Sequence, residues 1–309
     1  MGSGTAKDNA CTSGVCADIG GSFIKFATLD PSSGCGVARR CPTPARDWPL
    51  LLATLSECCA DVPTNLPLCL SIAGIVDPEA GLAFSANVPC INGRRLAAEL
   101  ADALGRPVLV ANDADCMVLA EALRGAGAGH RVVFGIVLGS GVGGGLVIDG
   151  SMVRGAGGIA GEWGHGPILG PVRAGDITIP PQPCGCGQVG CLDTLGGAHG
   201  LERLHRLLHG HEASSRDICA GWECEDRSEL ATVEAWLSLV AGPLAMMVNA
   251  TGTSVVPVAG GLGNNKRLVA ALDAAVRQRI LRHTAEALVV PSHFGDEAGL
   301  TGAALLVWE

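Results

Sequence analysis

The chain has 309 residues, is 48% hydrophobic and 17% charged, and carries a formal net charge of −9 at pH 7. The length allows two modest domains or one large one, and the negative balance argues against a nucleic-acid partner, which is held through clustered Lys and Arg. Mean hydropathy is high at +0.36, but no window reaches about 18 uninterrupted apolar residues, the minimum for a spanning helix, so no membrane partner is expected.

The first residues, MGSGTAKDNACTSG, are small and polar, with no apolar stretch that could act as a secretion signal. Without such a signal, the 14 cysteines point to reduced thiols in a cytoplasmic protein rather than to a disulfide framework. Cys16, Cys69, Cys90 and Cys116 stand singly in apolar segments, as small core side chains do. Residues 15–19 and 23–29 read as a β-hairpin around Gly20-Gly21. A loop with one edge strand is expected over 30–49, a helix over 50–59, and a strand over 68–73 that ends at Gly74. The apolar spacing of RLAAELADAL predicts a helix over 95–104, stopped by Gly105 and Pro107. A strand over 108–111 leads into a helix over 113–123, with Asn112 or Asp113 as its cap.

Strands over 132–138 and 145–148 flank SGVGG. Residues 150–197 are glycine-rich and irregular, an unusual length of chain without regular structure that needs an external organiser or a ligand. Helices over 194–208 and 233–250, a strand over 255–259, a helix over 266–281, a strand over 287–290 and a last helix from 299 complete the chain. This alternation of strand and helix is the mark of an α/β fold.

Three glycine turns are candidates for holding phosphate, because glycine lets backbone N–H groups approach a ligand with no Cβ in the way. ADIGGS places Asp18 at a strand end before Gly20, Gly21 and Ser22, where the acid could orient a magnesium ion. LGSGVGGG, with Gly139, Ser140 and Gly141, lies between two strands and lacks the Lys of a P-loop, so it is not a Rossmann or Walker site. VAGGLGNN, with Gly260, Gly261 and Gly263, closes a strand and opens a helix, as an adenosine-binding turn would. In VANDADCMVLAEAL, Asp113 stands where a strand becomes a helix. Phosphoryl transfer to a hydroxyl needs a carboxylate to accept the proton and charge neutralisation around the phosphate. Locally, Asp113 serves as such a base or as a helix cap equally well.

The sharpest local signal is Cys184-Gly-Cys186-Gly-Gln-Val-Gly-Cys191, which offers three thiolates in one glycine-bearing loop. Zinc takes four ligands, and His165 in GEWGH is the candidate for the fourth. Such a site is closed and structural, and would organise the irregular stretch; with no open coordination position it speaks against a zinc hydrolase. A competing set is His199, His205, His209 and His211 with Cys219 and Cys224. His205 and His209 stand i, i+4 on a helix, but their polar surroundings favour a solvated helix end.

These motifs, taken in order, resemble the ROK family (repressors, open reading frames and kinases) from about residue 15 to the end. The resemblance implies an actin-like, ribonuclease H-like ATPase fold of two α/β domains with an interdomain cleft: a small one over 1–111 completed by the C-terminal helix at about 298–309, and a large one over 112–297 carrying the zinc loop. It implies Asp113 as catalytic base, and Asn87, Asn112, Glu162 and His165 as sugar-binding residues; Gly74 is set with the same group. His165, Cys184, Cys186 and Cys191 match the family's zinc ligands. The family's Glu after the last Cys-Leu is Asp193 here, shorter by one methylene, and Ser22-Phe23 replaces a common Thr-Lys, so Lys25 is not assigned to phosphate. Repressor members carry an N-terminal helix-turn-helix; only about 14 residues precede the first motif here. The implied activity is transfer of the γ-phosphate of ATP, with Mg2+, to the 6-hydroxyl of a hexose or N-acetylhexosamine, N-acetylglucosamine favoured, by a homodimer. Fructokinase, glucokinase and a non-catalytic sugar sensor are the alternatives.

Overall fold

The computed structural model describes residues 13–30, 34–174 and 177–308; residues 1–12 of the polar N-terminal segment lie outside them. A two-glycine break between apolar runs folds β1 (Gly14–Ile19) and β2 (Phe23–Asp30) into an antiparallel hairpin with Asp18 opposite Lys25. The expected loop beyond it holds two short strands, β3 (Gly34–Cys35) and β4 (Arg39–Pro42), both paired with β2. Helix α1 (Trp48–Cys58) starts at Asp47, whose side chain accepts from Leu50 N, with proline in the first turn where no N–H is missed. Strand β5 (Leu68–Ile72) is buried along its whole length, as an unbroken apolar run in a parallel sheet should be.

Three very short strands follow: β6 (Ile75–Val76), β7 (Leu82–Phe84) and β8 (Arg94–Arg95), forming a separate antiparallel sheet. Sequence reading misses them because two or three residues are too few for an alternation to register. Helix α2 (Leu96–Leu104) stops at Gly105, which takes the left-handed conformation. Strand β9 (Val108–Asn112) runs straight into α3 (Asp113–Arg124). The resulting sheet has the order β3-β2-β1-β5-β9, with β4 also on β2 and the β1–β5 and β5–β9 pairs parallel. Leu51, Leu55, Leu68, Leu70 and Leu100 fill the core beside it.

The next strands are β10 (Val132–Leu138), β11 (Val142–Ile148) and β12 (Ser151–Met152). β11 begins three residues before the expected strand, so most of the GVGGG run is strand and only Gly139–Gly141 is turn. Past β12, the described residues of the irregular region hold a 3-10 turn (Ala156–Gly158), β13 (Val172–Ala174) and β14 (Ile177–Ile179) before α4. The single helix expected over 194–208 is two, α4 (Asp193–Gly196) and α5 (Ala198–His209), because Gly197 between them is extended. Helices α6 (Ser215–Glu223) and α7 (Arg227–Thr251) follow; α7 starts six residues earlier than expected and runs through Pro243. By length and composition alone α7 could cross a membrane, but here Trp236, Val240, Leu244 and Val248 lie inside a protein core. Strand β15 (Val256–Ala259), α8 (Lys266–Arg277), β16 (Val289–Pro291) and α9 (Ala298–Leu305) end the chain. The second sheet runs β12-β11-β10-β15-β16.

Cα packing divides the chain into two compact units, Met1–Cys116 with Gly299–Glu309, and Met117–Ala298. The C-terminal helix joins the first unit through glycine. A Cβ on Gly302 would run into the backbone of Cys116 at the start of α3, and one on Gly299 would touch the Asp18 carboxylate. Backbone cannot yield as a side-chain tip can, so we expect Gly302→Ala to cost at least about 1–3 kcal/mol by overpacking, read as a lowered urea midpoint. An unchanged midpoint would refute that close approach.

Candidate active site

In the first unit the turn Gly20-Gly21-Ser22 is held from three sides. Gly20 N donates to Phe23 O, and Thr43 supplies its hydroxyl to Gly20 O at 2.7 Å and its N–H to Ser22 O at 3.0 Å. A Cβ on Gly21 would come within 3.0 Å of Asn87 Cβ, so the fold brings together two predicted site residues far apart in sequence. Ser71 Oγ donates to Asp18 Oδ1 at 2.6 Å. At the β9–α3 junction, Asn112 Nδ2 donates to Gly74 O at 2.9 Å while its Oδ1 accepts from Ala114 N at 2.7 Å and Asp115 N at 3.2 Å. Asn112 is therefore the helix cap, and it ties Gly74 to the junction. Asp113, half-buried, accepts from Ala114 N at 2.9 Å. Burial, then the charges of Asp115, Asp18 and Asp113, push the Cys116 thiol pKa well above its usual value.

In the second unit two of the predicted turns are pressed together. Gly260 has φ +87°, and a Cβ there would lie 2.6 Å from Gly139 N. Leu262 N donates to Leu138 O at 3.0 Å, and Ala198 N, opening α5, donates to Gly139 O at 2.7 Å. Gly263 packs on β15, where a Cβ would meet Val258 O, and Asn265 caps α8. Beside Gly261 lies a cavity of ≈ 360 Å³ lined by Ala198, Arg216, Cys219, Glu223, Leu262 and Asn265.

The glycines of β11 have a different purpose from that suggested by their sequence. Trp163 Nε1 donates to Gly143 O at 2.9 Å, and a Cβ on Gly144 would stand 2.8 Å from the Trp163 ring. Gly161, at φ +89°, leaves room only for backbone against Gly144. They admit the GEWGH segment onto the sheet. Gly144→Ala should therefore cost about 1–3 kcal/mol and quench or shift Trp163 fluorescence; an unperturbed indole would contradict this packing.

GEWGH and the cysteine loop meet. One donor atom each from His165, Cys184, Cys186 and Cys191 lies within 4.8 Å of the others. His165 Nδ1 is 3.6 Å from Cys184 Sγ, Cys186 Sγ is 3.5 Å from Cys191 Sγ, and Gly166 N donates to Cys191 Sγ at 3.3 Å. Hydrogen bonding from the Gln188 backbone lowers the Cys186 pKa to about 7. Three sulfurs and one imidazole nitrogen, with a thiol poised to ionise, fit the donor set of a structural zinc ion. The other ring nitrogen, Nε2, is 3.9 Å from Glu162 Oε2, and burial raises the Glu162 pKa. Asp193 Oδ1 accepts from Val142 N at 2.8 Å, and Oδ2 is 3.9 Å from Cys184 Sγ, so this carboxylate braces the Gly141 turn against the cysteine loop.

The histidine group differs from its sequence reading. The solvated helix end holds for His199 and His211, which are exposed, but not for His205, which is fully buried at 0% exposure. Nor do His205 and His209 face a common ion; both contact Thr232 Oγ1, at 2.9 and 3.0 Å. Cys219 is buried and Cys224 exposed, and no disulfide forms among the described cysteines.

The ROK family model matches residues 14–309. The chain belongs to the ROK family. It is 33% identical over 300 residues to the N-acetylgalactosamine kinase AgaK of Shewanella sp. (strain ANA-3), covering 94% of each chain. It is 32% identical over 296 residues to an N-acetyl-D-glucosamine kinase of Yersinia pseudotuberculosis, covering 94% of this chain and 97% of the relative. Its fold is similar to that of the ROK hexokinase from Thermus thermophilus, with a TM-score of 0.80, 29% identity, and coverage of 94% and 96%. The fold is thus the actin-like ATPase fold of ROK sugar kinases.

As a ROK protein the chain carries one group of candidate residues that its motifs do not reveal: the α6 face. Arg216 and Glu223 stand seven apart, hence on one side of the helix, and both line the cavity beside Gly261. That spacing was available in the sequence, but nothing local linked α6 to the turn after β15.

Proposed function

We propose that this ROK protein is a cytoplasmic ATP-dependent sugar kinase, working as a homodimer, that phosphorylates the 6-hydroxyl of an N-acetylhexosamine, N-acetylglucosamine before other hexoses. The observation that carries the reading is the β9–α3 junction. There Asn112 accepts from Ala114 N and Asp115 N as the cap, and Asp113, the first residue of α3, stands at the positive end of the helix with one carboxylate oxygen on Ala114 N. In the first unit, Asp113 accepts the hydroxyl proton, and the freed oxygen attacks the γ-phosphorus as the bond to the β-phosphate oxygen breaks. Asn87, Asn112 and Gly74 orient the sugar, and the turn Gly20-Gly21-Ser22 offers backbone N–H groups to phosphate. Mg2+, when bound near Asp18, supplies positive charge against the phosphates.

In the second unit, Gly139, Ser140 and Gly141 hold phosphate, and the cavity beside Gly260-Gly261 takes the adenosine, with Gly263 keeping that turn close to β15. Glu162 and His165 bind sugar hydroxyls. His165 Nδ1, Cys184, Cys186 and Cys191 would hold zinc, which would be structural; with Nδ1 so engaged, the His165 imidazole would present Nε2 beside Glu162. Asp193 sets the spacing between the cysteine loop and the Gly141 turn.

The test is a coupled ADP-release assay on N-acetylglucosamine, N-acetylgalactosamine, N-acetylmannosamine, glucose and fructose. The highest kcat/KM is expected on N-acetylglucosamine. Highest efficiency on glucose or fructose would reassign the substrate, and sugar binding without turnover on any of them would make the protein a sensor.

A further inference from the structure

Helix α5, the loop after it, and α7 bring His205, His211 and Glu229 together so that one ligand atom of each lies within 4.8 Å of the others. The hydrogen bonds around them assign the ring protons. Thr232 Oγ1 donates its single proton to Ser228 O at 2.9 Å. It must therefore accept from His205 Nδ1 and His209 Nε2. His211 Nδ1 is 3.3 Å from His209 O, which can only accept. Both Nδ1 atoms are thus donors, and in the neutral rings both Nε2 atoms carry lone pairs. Those two lone pairs face each other at 3.2 Å. Glu229 Oε1 is 4.0 Å from His205 Nε2, and the other oxygen, Oε2, accepts from Ser228 Oγ at 2.6 Å. In the neutral rings three electron-rich atoms thus converge, and full burial of His205 disfavours an imidazolium on that ring.

We propose that His205 Nε2, His211 Nε2 and Glu229 Oε1 form a binding site for a divalent transition-metal ion of the zinc type, sharing no residue with the cysteine loop. Two imidazole nitrogens bound to one tetrahedral ion at about 2.0–2.1 Å stand roughly 3.3 Å apart, which matches the separation seen. Each ligand is held from behind: His205 by Thr232, His211 by the His209 carbonyl, and Glu229 by Ser228, the pattern that orients metal ligands. Gly221 of α6 makes room for the Glu229 stem, since a Cβ there would lie 2.6 Å from Glu229 Cγ. His211 is exposed, so an ion has a path in and the fourth position opens to water. Mixed nitrogen and oxygen donors suit Zn2+, Ni2+ or Cu2+ over Mg2+.

The full-length protein and its His211→Ala variant, each equilibrated with Zn2+ and desalted, are compared by metal analysis. The wild type is expected to retain one more Zn2+ per chain, and the exposed position of His211 lets the variant fold. Loading with Co2+ separates this site from the cysteine loop. The wild-type minus variant spectrum should show visible d–d bands without a thiolate-to-cobalt charge-transfer band. Equal zinc in both proteins overturns the proposal, and so does a difference spectrum that carries the thiolate band. Glu229→Gln should weaken Zn2+ retention in the same direction; retention equal to the wild type would remove Glu229 from the site.

Discussion

Asp113→Asn is expected to lower kcat for sugar phosphorylation by about 10²–10⁴-fold, the usual contribution of a positioned general base, while sugar affinity stays close to that of the wild type. The substitution is nearly isosteric, and its side-chain oxygen can still accept from Ala114 N as Asp113 does. The helix cap is its neighbour: Asn112 accepts from Ala114 N and Asp115 N and holds Gly74 O. Loss of turnover with an unchanged thermal midpoint would therefore report chemistry and not folding. Asn112→Ala should do the reverse, with a stability loss of about 0.5–2 kcal/mol from the missing cap accompanying any loss of rate. If Asp113→Asn keeps turnover within a few-fold of the wild type by single-turnover phosphoryl transfer, another group takes the proton and the proposed mechanism falls.

Removing a thiolate from the cysteine loop is expected to raise the sugar KM by about 10–100-fold, the size of effect seen when support for an oriented ligand is lost, with a smaller change in kcat. Cys191→Ala is the cleanest variant: Cys191 is fully buried, at 0% exposure, so the smaller side chain exposes nothing new. Without metal the loop has little else to organise it. Cys186, Gly187, Gln188 and Val189 are all exposed, and the internal bonds are a few backbone contacts such as Cys184 N to Gln188 O at 2.8 Å. His165 would lose the partner of Nδ1 and with it the fixed direction of Nε2 toward Glu162. Loss of the thiolate-to-cobalt band in Co2+-loaded protein would establish that the site is broken, and steady-state kinetics would read the consequence. A variant that no longer binds metal there yet keeps the wild-type KM would show that the loop does not orient the sugar site.

Residues within a few positions of one another determined much of this protein before any tertiary contact was considered. The β1–β2 hairpin, the stop of α2 at Gly105, the strand-to-helix junction at Asn112-Asp113 and the close set of Cys184, Cys186 and Cys191 all follow from local chemistry: a turn, a cap, or ligands spaced within a single loop. His165 joins that set from 19 residues away from Cys184, and only the zinc requirement for a fourth donor pointed to it.

What needed the tertiary structure was every role that depends on a partner distant in sequence. Gly144 looks like part of a phosphate turn until Trp163 is found against it. Gly197 sits in a helical pattern, yet its packing on the backbone of Gly141 leaves no space for a Cβ and divides α4 from α5. Gly302 looks like an ordinary helix residue until Cys116, far earlier in the chain, lies against it. His205 and His209 show the same limit, because helical spacing put them on one face but Thr232 of α7 took both as donors and left His205 to face His211 and Glu229. Periodicity and capping are properties of neighbouring residues and can be read along the chain. Steric room and proton placement are set by whichever atoms the fold brings within van der Waals or hydrogen-bond range, and that choice is made only when the sheets and helices pack.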